Sequence, residues 1–477
     1  MERIKSLFAP VKASSDEYEP LTDDDSGTLE GSIYEDGAPF SWIEYSIFAL
    51  IGVAMLWAWN MFLAAAPYFQ TRVQSDPFLL ANSQSAILAV STIANLLTML
   101  TLTNMQSSAN YPFRIYTGLL VNAATFALLT ISTSHFLDIS AATYLAFLLL
   151  MVGLTAWASG MIQNGALAYA ASFGRTEYTQ AIMAGQGVAG ILPPLTQMVS
   201  FLAFSSSSPN GPDQPSEDAS ATTPTGDEPP TTETSTAAFV YFLTAVLISA
   251  ITVAGFVPLV RRHNHHRHRL LSSSSSGPGA DLSRSVTSLG GDGTERSGRR
   301  FVSMPALFRK LRWVSASVFL CFVIAMFFPV FTAKILSVHD ERESGRLFAP
   351  GAFIPLGFFF WNLGDLAGRV STMLPFSLRH RPKALFAISV ARLLFLPMYL
   401  LCNLHGDGAV VPSDVFYLLV VQFPFGLTNG WLGSSAMMAA GEWVADGERE
   451  AAGGFMGLCL VAGLAVGSVL SFTAAGI

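Results

Sequence analysis

The stretch Phe359-Phe360-Trp361-Asn362-Leu363-Gly364-Asp365-Leu366-Ala367-Gly368-Arg369 puts an amide, a carboxylate and a guanidinium inside an apolar run. Asn362, Asp365 and Arg369 fall at i, i+3 and i+7, one stripe of a helix. Asp365 and Arg369 are close enough to pair, and opposite charges offset part of each other's desolvation cost. Gly364 and Gly368 form a G-x-x-x-G, which lets a second helix approach closely. Two readings follow. The pair is an ion-pair staple between helices, or it faces a path open to water and a polar solute. A carboxylate accepts from vicinal hydroxyls and a guanidinium donates to their oxygens. The second reading requires a cavity beside the pair, because an isolated charge in hydrocarbon is costly.

Outward from this stretch the chain is apolar. Of 477 residues, 51% are hydrophobic and 12% charged, with mean hydropathy +0.46. A soluble domain of that composition could not cover its surface with polar groups, so the bilayer is the natural solvent. A hydrocarbon core about 30 Å thick needs about 20 apolar residues in a helix. Eleven segments meet this: 44–69, 83–103, 112–134, 141–168, 180–203, 237–260, 313–336, 352–375, 384–403, 411–438 and 452–475. The fold class expected is an all-α polytopic membrane protein. Pro193, Pro194, Pro329, Pro397 and Pro424 fall inside these segments and predict kinks, which a membrane bundle tolerates.

Lysine and arginine set the orientation. With the N-terminus in the cytosol, twenty of them fall on the cytosolic side and four opposite, leaving Arg369 and Arg392 within apolar segments. An odd helix count then puts the C-terminus on the lumenal or extracellular side. Residues 1–43 are acidic, cytosolic and disordered by composition, with no signal-peptide core. Residues 44–260 form a six-helix bundle, interrupted at 204–236 by a Ser/Thr/Pro-rich non-cytosolic loop expected to be disordered. Residues 261–312 are a basic, Ser/Gly-rich cytosolic linker, also expected to be disordered, and 313–477 form a five-helix bundle. The run His263-Asn264-His265-His266-Arg267-His268 reads as a solvated juxtamembrane stretch near anionic lipid rather than a metal site. Cys321, Cys402 and Cys459 suit neither a disulfide framework nor zinc and read as small buried residues. No metal, catalytic residue or cofactor is expected.

Other polar residues lie in apolar segments: Trp59 and Asn60, Gln163 and Asn164, Gln186, Thr428 and Asn429. Each suits an interhelical hydrogen bond. Together they suit a polar solute, since amides donate and accept and an indole offers a face for stacking. Arg392 lies inside the ninth segment, placed to bond carbonyls or a cytosolic gate. An intramembrane aspartyl protease needs two deep acids, and only Asp365 is deep; the histidines lie in loops or at segment edges, which excludes a serine type.

At these residues the sequence resembles the equilibrative nucleoside transporter family. Trp57-Ala58-Trp59-Asn60-Met61-Phe62 is similar to a Pro-Trp-Asn-x-Phe element, with Ala58 in place of proline. Gln163-Asn164-Gly165 resembles a Gln-Gly-Ser element. Gly185-Gln186-Gly187-Val188-Ala189-Gly190 matches a glycine motif, and Phe328-Pro329 a Phe-Pro element. Asn362-x-x-Asp365-x-x-Gly368-Arg369 is similar to the eighth-helix signature. Ala391-Arg392-Leu393 with Pro397 and Leu401-Cys402-Asn403 resembles the ninth helix. Thr428-Asn429-Gly430-Trp431-Leu432 resembles the tenth, and Glu448-x-x-Ala451-x-x-Gly454 and Gly463-Leu464-Ala465-x-Gly467 the last.

The resemblance implies a major-facilitator-like fold with helices divided six and five, alternating access and nucleoside substrates. It implies that Trp59 contacts the nucleobase, Gln163 hydrogen-bonds it, and Asp365 and Arg369, with Asn362 on the same stripe, bind the ribose. Leu56, Leu63, Phe328 and Pro329 would line the pocket or non-cytosolic gate, with Asn60, Arg392 and Asn429 in support. The chain is most similar to fungal members, which implies a vacuolar (lysosome-like) or plasma membrane. Tyr18-Glu19-Pro20-Leu21 fits a Tyr-x-x-apolar sorting signal.

No ATP-binding motif is present, so the solute gradient is the expected driving force. The pairing of Asp365 with Arg369 argues against easy protonation and for mainly facilitated diffusion. Alternatives are proton-coupled nucleoside or nucleobase export from an acidic vacuole, or a transporter-like protein for another small polar solute. The expected partners are the nucleoside and the lipid bilayer, with no nucleic acid, and the chain is expected to act as a monomer.

Overall fold

The computed structural model describes residues 40–106, 109–204, 232–274, 302–339, 345–375, 377–471 and 473. The acidic N-terminus through residue 39, with its sorting tetrapeptide, lies outside the described residues. So do 205–231 of the Ser/Thr/Pro-rich stretch and 275–301 of the basic stretch. The described chain is helical: α1 (Trp42–Ala64), α2 (Ala66–Val73), α3 (Pro77–Asn104), α4 (Tyr111–Ser132), α5 (Ala141–Ser172), α6 (Thr176–Phe204) and α7 (Thr232–Ser274). These are followed by α8 (Met304–Ala325), α9 (Phe328–Thr332), α10 (Pro350–Ser371), α11 (Pro382–Ala391), α12 (Phe395–Tyr399), α13 (Phe423–Ala439) and α14 (Arg449–Ser471). Helical backbone continues through residues 261–274 and resumes at 304, where the composition predicted irregular linker. Helices at the margins of an apolar span propagate at one hydrogen bond per residue added, even through polar sequence.

Among the described residues, eight helical stretches are long and apolar enough to cross a membrane: α1, α3, α4, α5, 235–263 in α7, α8 with α9, α11 with α12, and 446–471 ending in α14. The remaining long helices are diluted or short. α6 and α10 have 29 and 22 residues but carry glycine, proline and polar groups, and α13 has 17.

Local chemistry sets the boundaries. Asp76 accepts from the Phe78 and Leu79 amides (2.9 and 3.2 Å) ahead of Pro77, and Asn110 accepts from Phe113 (3.0 Å). These are N-caps with proline in the first turn, where its missing N–H is not needed. Only Pro193 and Pro194 lie within a continuous helix as the sequence predicted; Pro258 and Pro355 do so as well. Pro329 instead opens the short helix α9 after a turn at 326–327, and Pro424 falls in the first turn of α13, which runs on directly from a π-helix. Pro397 lies in a five-residue helix after a 3-10 turn at Arg392–Leu394. Pro329 therefore marks a restart, while at Pro397 and Pro424 the winding changes to 3-10 or π just ahead of the proline, because proline fits a first turn and clashes within one. Ahead of Pro424 the chain winds as a π-helix over Phe416–Gln422.

Three apolar cores organise the molecule. The end where α1 begins, here the near end, holds one core that joins both parts of the chain. It contains Phe48, Ile162, Tyr178 and Ile182 together with Leu311, Phe322, Leu432 and Phe455. The far end holds two. One is built only from residues between Ala58 and Ala245, the other only from residues between Ile324 and Phe425. The principal contacts between the parts are α6 with α10 and α13, and α14 with α3 and α5. The α14 contacts come from its first turns, where Gly453, Gly454 and Gly457 meet Leu167, Asn164 and Met99. At the far end, Phe201 of α6 still lies against Gly351 of α10.

Candidate functional site

The Asp365–Arg369 pair forms as the helical spacing requires, Arg369 Nε donating to Asp365 Oδ2 at 2.6 Å. The sequence did not show how many helices the pair serves. Asn429 Nδ2 on α13 donates to Asp365 Oδ1 at 2.7 Å. Arg369 Nη1 donates to the Met183 carbonyl (2.9 Å) and to Gln186 Oε1 (3.2 Å) on α6, and Gln180 Nε2 donates to the Arg369 carbonyl (3.1 Å). One ion pair thus ties α10 to α13 and α6. Side chains meet here because glycines bring the backbones together. A Cβ on Gly364 or Gly368 would collide with α13 carbonyls, and one on Gly426 or Gly430 with the carbonyls of Trp361 or Asp365.

The structure buries the pair that the sequence reading set beside a cavity. Asp365 and Arg369 are 4% and 6% exposed. Of two cavities at the near end, one of about 80 Å³ lies between Leu167, Thr176, Met437 and Arg449, the other among the basic residues at the start of α8 and α11. Neither includes the pair. The reason is the joined near-end core, which closes α6 over the last turns of α10. Capacity remains, since an ionised carboxylate offers about four lone-pair sites and two are used here. Arg369 Nη2 makes no hydrogen bond among the described residues and is not among the fully buried polar atoms.

Gln186 is the bridge between the two parts. It accepts from Arg369 and, through Nε2, donates to Met55 Sδ of α1 at 3.0 Å. Asn60 Nδ2 donates to the Ala189 carbonyl at 2.7 Å, and Asn362 is so close to Gly190 that a Cβ there would press on its Oδ1. The Gly185–Gly190 stretch of α6 therefore gathers Asn60, Asn362, Arg369 and Gln186. Leu56 and Trp59 are half-buried on α1 beside this seam, and Leu63 is exposed nearer the far end. Phe328 stacks on Trp361 with centroids 3.9 Å apart, and Pro329 opens α9 beside it.

Gln163 is buried on α5 and makes no hydrogen bond among the described residues, and none joins it to the Asp365 cluster. Its neighbour Asn164 is instead a near-end tie, accepting from Arg114 and donating to Thr103 Oγ1 at 3.4 Å. Arg392, 1% exposed, donates through Nη1 to the Cys321 carbonyl (2.8 Å) and thiol (2.9 Å). The thiol donates to Asn429 Oδ1 at 3.3 Å, so a polar chain runs from Arg392 through Cys321 and Asn429 to Asp365.

Sequence reasoning left Gln180 and Gln422 out of the site and read Cys321 as plain apolar filling. Gln422 is fully buried, accepting from Tyr399 (2.7 Å) and donating to Thr332 (2.6 Å) and Tyr417 (2.7 Å). Its signal was an amide beside Phe423-Pro424 in an otherwise apolar run.

The described residues, helical throughout with a joined core at one end and split cores at the other around a buried charged seam, have the major-facilitator fold. Solved structures of that fold superpose. A proton:xylose symporter bound to 6-bromo-6-deoxy-D-glucose does so with TM-score 0.54 at 10% identity, over 90% of this chain and 87% of that one. The human organic anion transporter MFSD10 does so with TM-score 0.51 at 14% identity, over 91% and 93%. Residues 149–475 match the family described as nucleoside transporter, and the chain belongs to that family. Among its relatives, the nucleoside transporter FUN26 of Saccharomyces cerevisiae is 30% identical over 460 residues, spanning 90% of this chain and 83% of the relative. Human equilibrative nucleoside transporter 1 is 25% identical over 468 residues, spanning 89% and 95%.

Proposed function

We propose that this chain carries nucleosides across a bilayer by alternating access, with α6, α10 and α13 crossing alongside the eight apolar stretches to give eleven spans divided six and five at the 261–312 linker. The observation that carries the reading is the arrangement of cores. A single core binds the two parts at the near end while each keeps its own at the far end, the form expected of a carrier closed on one side and open on the other. The near end holds Arg114, Arg175, Arg309, Arg379 and Arg449, and the far end Arg72, Lys334 and Arg346. The bias favours a cytosolic near end and a lumenal or extracellular C-terminus.

In this reading Trp59 and Gln163 meet the nucleobase, and Asn362, Asp365 and Arg369 meet the ribose through their unused lone pairs and N–H groups. Leu56, Leu63, Phe328 and Pro329 line the way in from the far side. Asn60, Asn429 and Arg392 hold the seam. Flux follows the nucleoside gradient, and the chain works as a monomer in a plasma or vacuolar membrane. Uptake of labelled uridine and adenosine into liposomes holding the purified protein tests this. Saturable uptake that scales with the gradient and ignores an imposed pH gradient is expected. Absence of nucleoside uptake from active liposomes, or uptake driven by protons against a nucleoside gradient, contradicts it.

A further inference from the structure

A second feature at the near end belongs to neither the polar seam nor the core. The first turns of α8 and α11, with the segment before α14, enclose an open cleft of about 760 Å³ lined by Arg309, Lys310, Arg312, His380, Arg381 and Lys383, with Trp313 and Trp443 between them. Its volume lies in the range of small-molecule sites, about 300–1,000 Å³. The neighbouring carboxylates are already engaged. Glu448 pairs with Lys310 at 2.6 Å, Glu442 with Arg379 at 3.2 Å and His380 at 3.5 Å, and Asp446 with Arg449 at 2.7 Å. Arg309, Arg312, Arg381 and Lys383 have no carboxylate within ion-pair distance among the described residues. Arg309, Arg312 and Lys383 are exposed. Residue 381 is also the N-cap of α11 and caps it with no side-chain bond, so the positive end of that helix faces the same place. Four uncompensated cations in one concave space repel each other, and a polyanion relieves that repulsion.

The surroundings say which polyanion. Trp443 in the cleft and Phe308 next to Arg309 are exposed at 43% and 55%. An indole and apolar side chains at the end of a spanning bundle mark the membrane interface. We propose that this cleft binds the phosphorylated headgroup of an anionic phospholipid in the near-end leaflet, the arginines taking phosphate oxygens bidentately and the apolar rim taking the first acyl carbons. The cleft lies wholly in the part of the chain from α8 onward and borders the ties Arg379–Glu442 and Lys310–Glu448. Arg379 also donates to Thr176 of the first part at 3.0 Å, so occupancy beside it would brace the closed near end.

The test uses the full chain in neutral-lipid nanodiscs, with dioctanoyl phosphatidylinositol bisphosphate as probe, dioctanoyl phosphatidylcholine as neutral control and the soluble inositol polyphosphate headgroup as the tail-free arm. The bisphosphate lipid should bind at least about tenfold tighter than the neutral one and weaken as salt rises. The combined Arg309→Gln, Arg312→Gln, Arg381→Gln and Lys383→Gln variant should lose at least about tenfold in affinity, while Arg72→Gln at the far end loses nothing. Equal affinity in the combined variant, or binding indifferent to salt in the unaltered protein, overturns the proposal. Equal affinity for the tail-free headgroup also overturns it, in favour of a site for free polyphosphate. The salt series needs no variant, so it decides even if the combined variant fails to fold. Binding is read without transport, so failure here is separable from failure of nucleoside carriage.

Discussion

Asp365 and Gln163 make opposite predictions although the proposed function sets both against the solute. Asp365 holds Arg369 and Asn429 at once, so Asp365→Ala leaves a buried guanidinium without its counter-charge. Breaking such a pair costs about 3–5 kcal/mol. The variant should lose thermal stability in detergent and fall to background nucleoside uptake. Gln163 is engaged by nothing among the described residues, and its truncation should leave the melting temperature close to that of the parent. A neutral hydrogen bond to a solute is worth about 0.5–1.5 kcal/mol, so Gln163→Ala should raise the KM for uridine by about twofold to tenfold. An unchanged KM removes Gln163 from the site. Cys321 sits between them in consequence. Cys321→Ala cuts the thiol bridge between Arg392 and Asn429 and should lower maximal uptake more than it raises KM, since it loosens Asp365's support without touching solute.

Helix packing at the seam is decided by small residues in register. Gly364 and Gly368 of α10 face Gly426 and Gly430 of α13, each so near the opposing backbone that no Cβ fits. Close approach lets the Asn429 amide span to Asp365 directly, a contact longer side chains would hold apart. Gly430→Ala should therefore lower the yield of monodisperse protein and its melting temperature. Gly433→Ala, whose Cβ would only touch Phe322 at ordinary contact distance of 3.4 Å, should be tolerated. Size-exclusion of detergent extracts compares the two. The π-helix at Phe416–Gln422 works in the same element. Its wider turn carries Gln422 into reach of Thr332, Tyr399 and Tyr417, and π turns gather where function needs an irregular backbone.

Across the whole molecule the near end is held by polar ties, one of them between the two parts, as well as by its core. Arg379 donates to Thr176 at 3.0 Å across the two parts and pairs with Glu442; Tyr178 donates to Glu44 at 2.6 Å within the first part. Reversing one charge should weaken the closed side relative to the open one. Arg379→Glu, with spin labels at Ser140 and Asp407 on far-end surfaces of the two parts, should shift the inter-label distance distribution toward shorter values. An unmoved distribution would mean that the apolar core alone holds this end shut.

The sequence by itself determined the solvent, the helical class and the family. Apolar runs of bilayer length leave the backbone no alternative to helix, and the i, i+4 spacing of Asp365 and Arg369 brings them together whatever surrounds them. It also marked Gly364 and Gly368 as a contact face, Asn429 as a seam residue and Phe328-Pro329 as a distinct element. Only the tertiary structure decided what the charged pair touches. Met183, Gln186 and Gln180 lie far from it in the chain, and no local spacing encodes a partner on another helix. It also decided that Pro329 restarts a helix, that Cys321 is a link in a polar chain, and that the pair is closed over rather than bathed. Those outcomes depend on which end of the bundle shares a core, a collective balance of packing between distant segments that no single stretch of residues carries.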